Sequence, residues 1–359
     1  AQIGKSFMTH RRDLIKKAAL WLAGLSYWQP SLAAEVTDFY PQAKLRRLVF
    51  PRDYGAHPDY RTEWWYLTGW LGQGPSAMGF QLTFFRSRTQ HAIENPSRLA
   101  PQQLLFAHAA LAVAKQDIFL HANRAGRLSG TTLRAENTDT NLQFEDWHLR
   151  RMQRAETDVY EGRFAGEGFA VSFEARTQQP VILRGEAGLS KKGPQAKQAS
   201  YYYSRAPLHV NASVVLGKQT QILEGKAWLD HEWSSQLLMS GAVGWDWVGI
   251  NLLDGGTLMA FQIRDKKSES LYTHVDARDR GGMPVSGWGG LKSQPRGSWR
   301  SKSLIDYPIH MDLVVKGQTF RLVPLILSQE VDALSSTGGF YWEGAVRLMK
   351  EEHLLGHGY

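Results

Sequence analysis

The 359-residue chain contains no cysteine. Disulfides, thiolate zinc sites, iron–sulfur clusters and cysteine nucleophiles are thereby excluded. Long apolar runs are missing as well: beyond the first 34 residues no segment is long and apolar enough to cross a membrane as a helix. Helical periodicity is scarce, and the best candidates, Pro101–Phe106 and Leu237–Ser240, are short. A serine hydrolase reading lacks its main support, because no Gly-x-Ser-x-Gly elbow occurs. His231-Glu232 does not open a zincin motif, since the position four after His231 is Ser235. There is no phosphate-binding glycine loop. No Lys/Arg cluster with interleaved aromatics suggests a nucleic-acid groove. Lys191-Lys192 and Lys197 sit among Gly, Pro and Gln and read as a solvated loop. Nothing predicts a metal or an organic cofactor.

What is present begins with an export signal. Arg11-Arg12-Asp13-Leu14-Ile15-Lys16 pairs two arginines with an apolar dipeptide and a lysine. A moderately apolar stretch follows, Ala18 to Trp28, and Pro30 breaks it. Ser31-Leu32-Ala33 then supplies the small residues of a signal peptidase site. A charged region, a short apolar region and a small-residue cleavage site, in that order, make a secretory signal. The arginine pair points to the twin-arginine export machinery and so to the periplasm. Met8 is a candidate start, which leaves Ala1–Phe7 upstream of it. Residues 1–34 hold five Lys/Arg and one Asp, so removing them lowers the formal charge from +8 to +4.

The rest of the pattern is β. Runs rich in aromatic and β-branched residues, ended by Gly, Asn or Asp, read as strands. They include Glu63–Leu71, Gly79–Arg86, Phe164–Ala175, Leu208–Leu216, Trp245–Leu253, Thr257–Arg264, His310–Lys316 and Phe320–Leu325. Asp254-Gly255-Gly256 suits a tight hairpin turn. A shift of 181 residues lays Trp64 on Trp245, Leu71 on Leu252, Gly74 on Gly255, Met78 on Met259, Phe80 on Phe261 and Gln81 on Gln262, with no gap. Self-similarity at a fixed offset signals duplicated architecture. The expectation is two related β domains, 46–200 and 201–359, divided near the loop Ser190–Ser200 and each opening with the same hairpin.

Two antiparallel domains of this size form sandwiches or up-and-down barrels. Aromatic supply favours barrels, whose interior can hold one small ligand. Thirteen tryptophans are present, and aromatics crowd Trp64-Trp65-Tyr66, Tyr201-Tyr202-Tyr203 and Trp245-Asp246-Trp247. In a strand, Trp64 and Tyr66 face one side while Glu63 and Trp65 face the other. Glu63 lies close to Arg61, and a buried carboxylate there requires a partner. Tyr201–Tyr203 is expected to pack between the domains, and His57 and Asp59 sit in a Pro-containing loop.

Four stretches carry a resemblance. Phe50-Pro51-Arg52-Asp53-Tyr54-Gly55-Ala56-His57-Pro58-Asp59-Tyr60-Arg61-Thr62-Glu63-Trp64-Trp65-Tyr66 resembles the opening of the AttH-like family, which shares its fold with carotenoid 1,2-hydratases. Tyr201-Tyr202-Tyr203-Ser204, Ala227-Trp228-Leu229-Asp230-His231-Glu232-Trp233-Ser234 and Tyr341-Trp342-Glu343-Gly344 resemble later motifs of that family. The resemblance implies tandem lipocalin-like antiparallel β-barrels. It also implies a further short strand segment beyond Gly356-His357-Gly358-Tyr359. Fold alone does not imply a reaction.

Asp230-His231-Glu232-Trp233 holds the most chemistry. Hydration of an isoprenoid double bond needs an acid to protonate carbon, aromatic faces for the cation and a base for water. Asp230 or Glu232 is the candidate acid and His231 the candidate base. Glu63, Trp64, Tyr66, Tyr202, Trp233, Trp245 and Trp247 are candidate ligand-binding residues. In the resemblance, His231 and Trp233 match a His-x-Trp pair of the hydratases. The hydratase branch also relies on an aspartate in a following strand, and Thr257–Ile263 carries no carboxylate. Two readings stay open: a carrier of an apolar or amphipathic small molecule, such as a lipid, and a hydro-lyase or isomerase acting on an isoprenoid-like substrate. The missing acid favours the carrier.

Overall fold

A computed structural model describes residues 40–359 apart from 92–94, 96, 98–99, 129–130, 237–238 and 240. The expected twin-arginine signal lies outside the described residues, as does most of the helix expected at 237–240. Thirteen strands make the first sheet. They are β1 (Thr62–Leu71), β2 (Met78–Arg88), β3 (Gln103–Val113), β4 (Ile118–Arg127), β5 (Leu133–Ala135), β6 (Asn141–Phe144) and β7 (Trp147–Arg154). Then follow β8 (Thr157–Gly166), β9 (Phe169–Thr177), β10 (Ile182–Leu183), β11 (Leu189–Lys191), β12 (Ala199–Leu216) and β13 (Gln219–Ser234). The second sheet takes β14 (Gly244–Leu252), β15 (Thr257–Arg264), β16 (Ser270–Arg278), β17 (Lys292–Arg300), β18 (Asp306–Val315) and β19 (Gln318–Pro324). After the small pair β20 (Glu330–Asp332) and β21 (Phe340–Trp342), it is completed by β22 (Val346–Lys350) and β23 (His353–Gly358).

The fold is all-β, as expected: the first sheet curls into a nearly closed barrel and the second into a half-barrel. Alternation drives the curl. Along β9, Phe169, Val171, Phe173, Ala175 and Thr177 are buried and the residues between them are not. Phe80, Phe164, Phe173, Trp147 and Leu229 fill the first barrel, each large side chain contributing about 1.5–3 kcal/mol on burial. The barrel interior is thus occupied by its own side chains.

Three expectations change. The sheets divide between Ser234 and Gly244, not near 190–200, because β12 and β13 pair with β9 and β1 of the first sheet. Phe164–Ala175 is not one strand but a hairpin, turning at Glu167-Gly168, where Gly168 takes φ +78°. Pro101–Phe106 is not helical: β3 starts at Gln103, held between β2 and β4. Pairing on both sides overrides the helix preference of its Leu and Ala residues.

The repeat is visible in the topology. β1 has β2 on one side and the last strand of its sheet, β13, on the other; β14 has β15 and β23 in the same places. The register differs. Trp64 opposes Phe85, which the offset carries to Lys266, whereas Trp245 opposes Ile263. A slip of an odd number of residues turns side chains to the opposite face. Phe80 therefore fills the first barrel while Phe261 packs beside Tyr202 and Trp228, outside it. The expected turn is present: Gly255 has φ +94°, and the Asp254 Oδ1 accepts the Gly256 N–H at 2.9 Å.

The sheets meet closely. A Cβ on Gly79 of β2 would lie 2.3 Å from the Cβ of Ala345. Gly79→Ala is expected to lower stability in urea unfolding by about 1–3 kcal/mol, with Ala345→Gly in the same chain restoring part of it. A Gly79→Ala protein as stable as wild type would show that the approach is looser than this.

Candidate functional site

β1 and β13 lie side by side, with Glu63 opposite Trp233, Trp65 opposite His231 and Tyr66 opposite Asp230. Side chains alternate across a strand, so this one pair of strands serves two places. Glu63, Trp65, His231 and Trp233 point to one side; Trp64, Tyr66, Asp230 and Glu232 point to the other, toward the second sheet.

On the first side lies a knot of charge. Glu63 accepts hydrogen bonds from Arg86 Nε at 2.7 Å, His57 Nδ1 at 2.7 Å and His231 Nε2 at 2.9 Å. Burial alone would raise the Glu63 carboxyl, but Arg86, His57 and His231 hold it well below the usual range. His57 also reaches Asp53 Oδ1 through Nε2 at 2.9 Å. Both its ring nitrogens thus face carboxylates, which only accept hydrogen bonds when ionised. Trp233 stacks on this ring with centroids 3.8 Å apart. His231 bridges Glu63 and the Tyr203 hydroxyl, and burial lowers it to about 4, so it is neutral near pH 7.

His57, Glu63 and His231 also have the make-up of a metal set, their ligand atoms lying within 4.8 Å of one another. A metal-bound imidazole must present a free ring nitrogen, and both nitrogens of His57 are already engaged by Asp53 and Glu63. The Arg86 guanidinium on the same carboxylate disfavours a cation further. The arrangement as it stands is a hydrogen-bonded anchor for the 50–60 loop.

On the second side, an aromatic seam separates the sheets. Trp64 meets Trp245 edge-on at 6.5 Å, and Tyr66 meets Trp247 at 5.4 Å. Trp64, Tyr66, Trp245 and Trp247 are all only half-buried. Asp230 is cradled by Trp228 Nε1 at 2.7 Å, the Tyr202 hydroxyl at 2.7 Å and the Ser204 hydroxyl. Trp247 Nε1 donates in turn to the Tyr202 hydroxyl at 3.1 Å. Burial outweighs Arg184 and these donors and pushes Asp230 up to about 6. Across Tyr66 stands Glu343. Burial, opposed by hydrogen bonding from Gln81 and Tyr66, pushes it up to about 8. Its Oε2 is buried with no hydrogen-bond partner among the described residues. Near neutral pH the seam thus holds one protonated carboxyl and one ionised one, with a phenol between them.

The family model described as AttH-like matches residues 41–359. The chain belongs to the AttH-like family. A crystal structure of a protein from Nitrosomonas europaea, labelled AttH, is 36% identical to it, covers 89% of this chain and 97% of its own, and superposes with a TM-score of 0.78. Kievitone hydratase from Nectria haematococca superposes with a TM-score of 0.63 over 87% of this chain and 91% of its own, at 11% identity, a likeness of fold alone. No curated protein matches.

In this AttH-like chain the residues singled out from sequence divide between the two sides. Trp64, Tyr66, Tyr202, Trp245 and Trp247 gather at the seam with Asp230 and Glu232. Glu63 and Trp233 belong to the knot. His231 is not brought together with Asp230 and Glu232, because an odd position in the strand turns it away from them. Glu63 pairs with Arg86 and not with nearby Arg61. Asp59 is exposed, whereas His57 is buried in the knot. Lys192 is no solvated loop residue: it is fully buried, 3.0 Å from Glu232, with the rings of Tyr202, Trp245 and Phe261 4.1–4.8 Å from its Nζ. Sequence reasoning missed Glu343 and Lys192. Glu343 stood inside the Tyr341-Trp342-Glu343-Gly344 motif; for Lys192 local composition carried no signal.

Proposed function

We propose that the protein is an acid–base enzyme, a hydro-lyase or isomerase, that moves a proton on an unsaturated apolar small molecule held between the two sheets. The single observation behind this reading is the pair of seam carboxyls pushed apart, Glu343 to about 8 and Asp230 to about 6. Titratable neighbours with separated pKa values divide the roles of acid and base. Glu343 gives its proton to one carbon of a double bond, and the other carbon becomes cationic. The faces of Trp64, Trp245 and Trp247 stabilise that cation. In a hydration, water adds to it and loses a proton to Asp230; in an isomerisation, Asp230 takes the proton from a neighbouring carbon. Glu343 supplies the carboxyl that Thr257–Ile263 lacks, which moves the balance from carrier to enzyme. As part of the same proposal, the Arg11-Arg12 segment acts as an export signal and the activity belongs to the periplasm.

The test starts from protein purified from its own cell envelope. Native mass spectrometry identifies any bound molecule, which is then incubated with fresh wild-type protein in H2(18)O. Gain of labelled water, or a shifted double bond, is the expected result. A molecule held tightly and returned unchanged would make the protein a carrier.

A further inference from the structure

Beyond Asp230 the seam ends in a group of cations whose donors are only partly used. Arg184 is fully buried, and its Nε donates to the Ser204 hydroxyl at 2.8 Å. Its Nη1 and Nη2 have no hydrogen-bond acceptor among the described residues. Nη1 is ion-paired with Asp276 Oδ2 at 3.2 Å, and Arg278 donates to both Asp276 oxygens at 2.7 and 3.0 Å. Lys192 Nζ, ion-paired with Glu232, makes no directed hydrogen bond either, and Glu232 Oε1 already accepts from the Ser200 hydroxyl. His274 Nε2 is a fourth buried nitrogen without a hydrogen-bond partner among the described residues. It lies close enough to Lys192 and Arg184 that both lower its basicity, after burial. His274, Tyr272, Ser190, Gly185 and the acidic Glu186 are among the residues lining a cavity of about 180 Å³, in which Gly185 follows Arg184 in the chain and Lys191 precedes Lys192.

A buried donor left unmade costs about 1–3 kcal/mol, more when charged, and each such group calls for an occupant. Charge alone does not ask for one, because Asp230, Glu232 and Asp276 offset Arg184, Lys192 and Arg278. What is missing is acceptor atoms aligned with the terminal nitrogens of the guanidinium and with the Lys192 ammonium. A carboxylate meets that need, since its oxygens match the guanidinium fork. We propose that Arg184 and Lys192 seat a carboxylate at the far end of the seam ligand, so that the substrate is an unsaturated apolar acid. This rests on the reading of the seam given above. Register supplies the scale. Tyr66, Asp230 and Ser204 form one row across β1, β13 and β12. Two strand spacings, about 10 Å, separate Tyr66 beside Glu343 from Ser204 beside Arg184. The carboxylate therefore sits several carbons away from the reacting double bond.

Geranic acid and methyl geranate are the probes, titrated into the full chain at pH 7.5 by tryptophan fluorescence. Wild type is expected to bind the acid about tenfold or more tightly than the ester, the scale of one charge-assisted hydrogen bond. Arg184→Gln is expected to lose that preference through the acid alone, with the ester unchanged. Equal binding of acid and ester by wild type would overturn the carboxylate seat and leave the seam reading standing. An acid preference that persists in folded Arg184→Gln protein would do the same. Binding of neither probe by wild type would sink the seam reading and the seat together. Should Arg184→Gln fail to fold, the wild-type ratio alone decides.

Discussion

Arg86→Met is expected to lower the stability of the folded chain by about 3–5 kcal/mol, the usual result of removing one partner from a buried ion pair. Arg86 is almost fully buried and holds more than Glu63. Its Nη2 donates to the carbonyls of His57 and Tyr60 at 2.8 and 2.9 Å, and its Nη1 to Gln103 Oε1 at 2.6 Å. Methionine fills similar volume but leaves the Glu63 carboxylate with only the two histidines. Urea unfolding read by tryptophan fluorescence measures the loss. Adding Glu63→Gln to Arg86→Met is expected to recover part of it, because the stranded charge is then gone. The pH dependence has a definite sign. Glu63 is depressed in the folded state, so its contribution is present above its unfolded value of 4.5 and is lost as pH falls through the folded value. The gap between wild type and Arg86→Met should narrow in acid. An Arg86→Met protein within about 1 kcal/mol of wild type at pH 7 would show that the knot does not anchor the loop.

Glu343→Gln is expected to act in opposite directions on stability and turnover. Glu343 is raised from 4.5 to about 8, so the folded state holds its proton while the unfolded state gives it up. Wild-type stability therefore declines from this group as pH rises from about 4.5 to 8, and glutamine removes the decline. The variant should gain on wild type across that window and hold a constant lead above it, on the order of a few kcal/mol at about 1.4 kcal/mol per pKa unit. Turnover of the co-purified ligand should fall by roughly a hundredfold or more, the scale for losing a general acid, while its affinity changes little. A variant that keeps wild-type turnover would remove Glu343 from the chemistry, whatever its stability.

Sequence made the β class legible because alternation and turn residues are local signals. β15 spans Thr257–Arg264, the bounds read from its residues alone. The Phe164–Ala175 hairpin escaped because its two arms are both rich in aromatic and small residues, and only Gly168 marks the turn. The candidate site was legible as an inventory and not as an arrangement. Asp230, His231 and Glu232 are neighbours in the chain, yet strand geometry sends the histidine into one cluster and the two acids into another. Lys192 sits in a Lys/Gly/Pro/Gln segment whose composition suits solvent, and only its pairing with Glu232 of β13 explains its burial. Glu343 required the second sheet to be folded against the first before its carboxyl met Tyr66.

Trp64 touches Trp245, and Tyr66 touches Trp247; each member of these pairs is its partner's counterpart under the 181-residue offset. Contact between equivalent positions is what a twofold axis produces, and an isologous dimer makes its interface in this way. The two sheets of one chain thus stand as two subunits would, with an approximate axis running through the seam. Perfect symmetry would have supplied matching acids on both sides. Here the halves have diverged: the first brings Tyr66 and Asp230, the second brings Glu343. Neither half alone contains both carboxyls of the proposed acid–base pair, so cutting the chain between Ser234 and Gly244 and separating the pieces should leave two sheets and no seam.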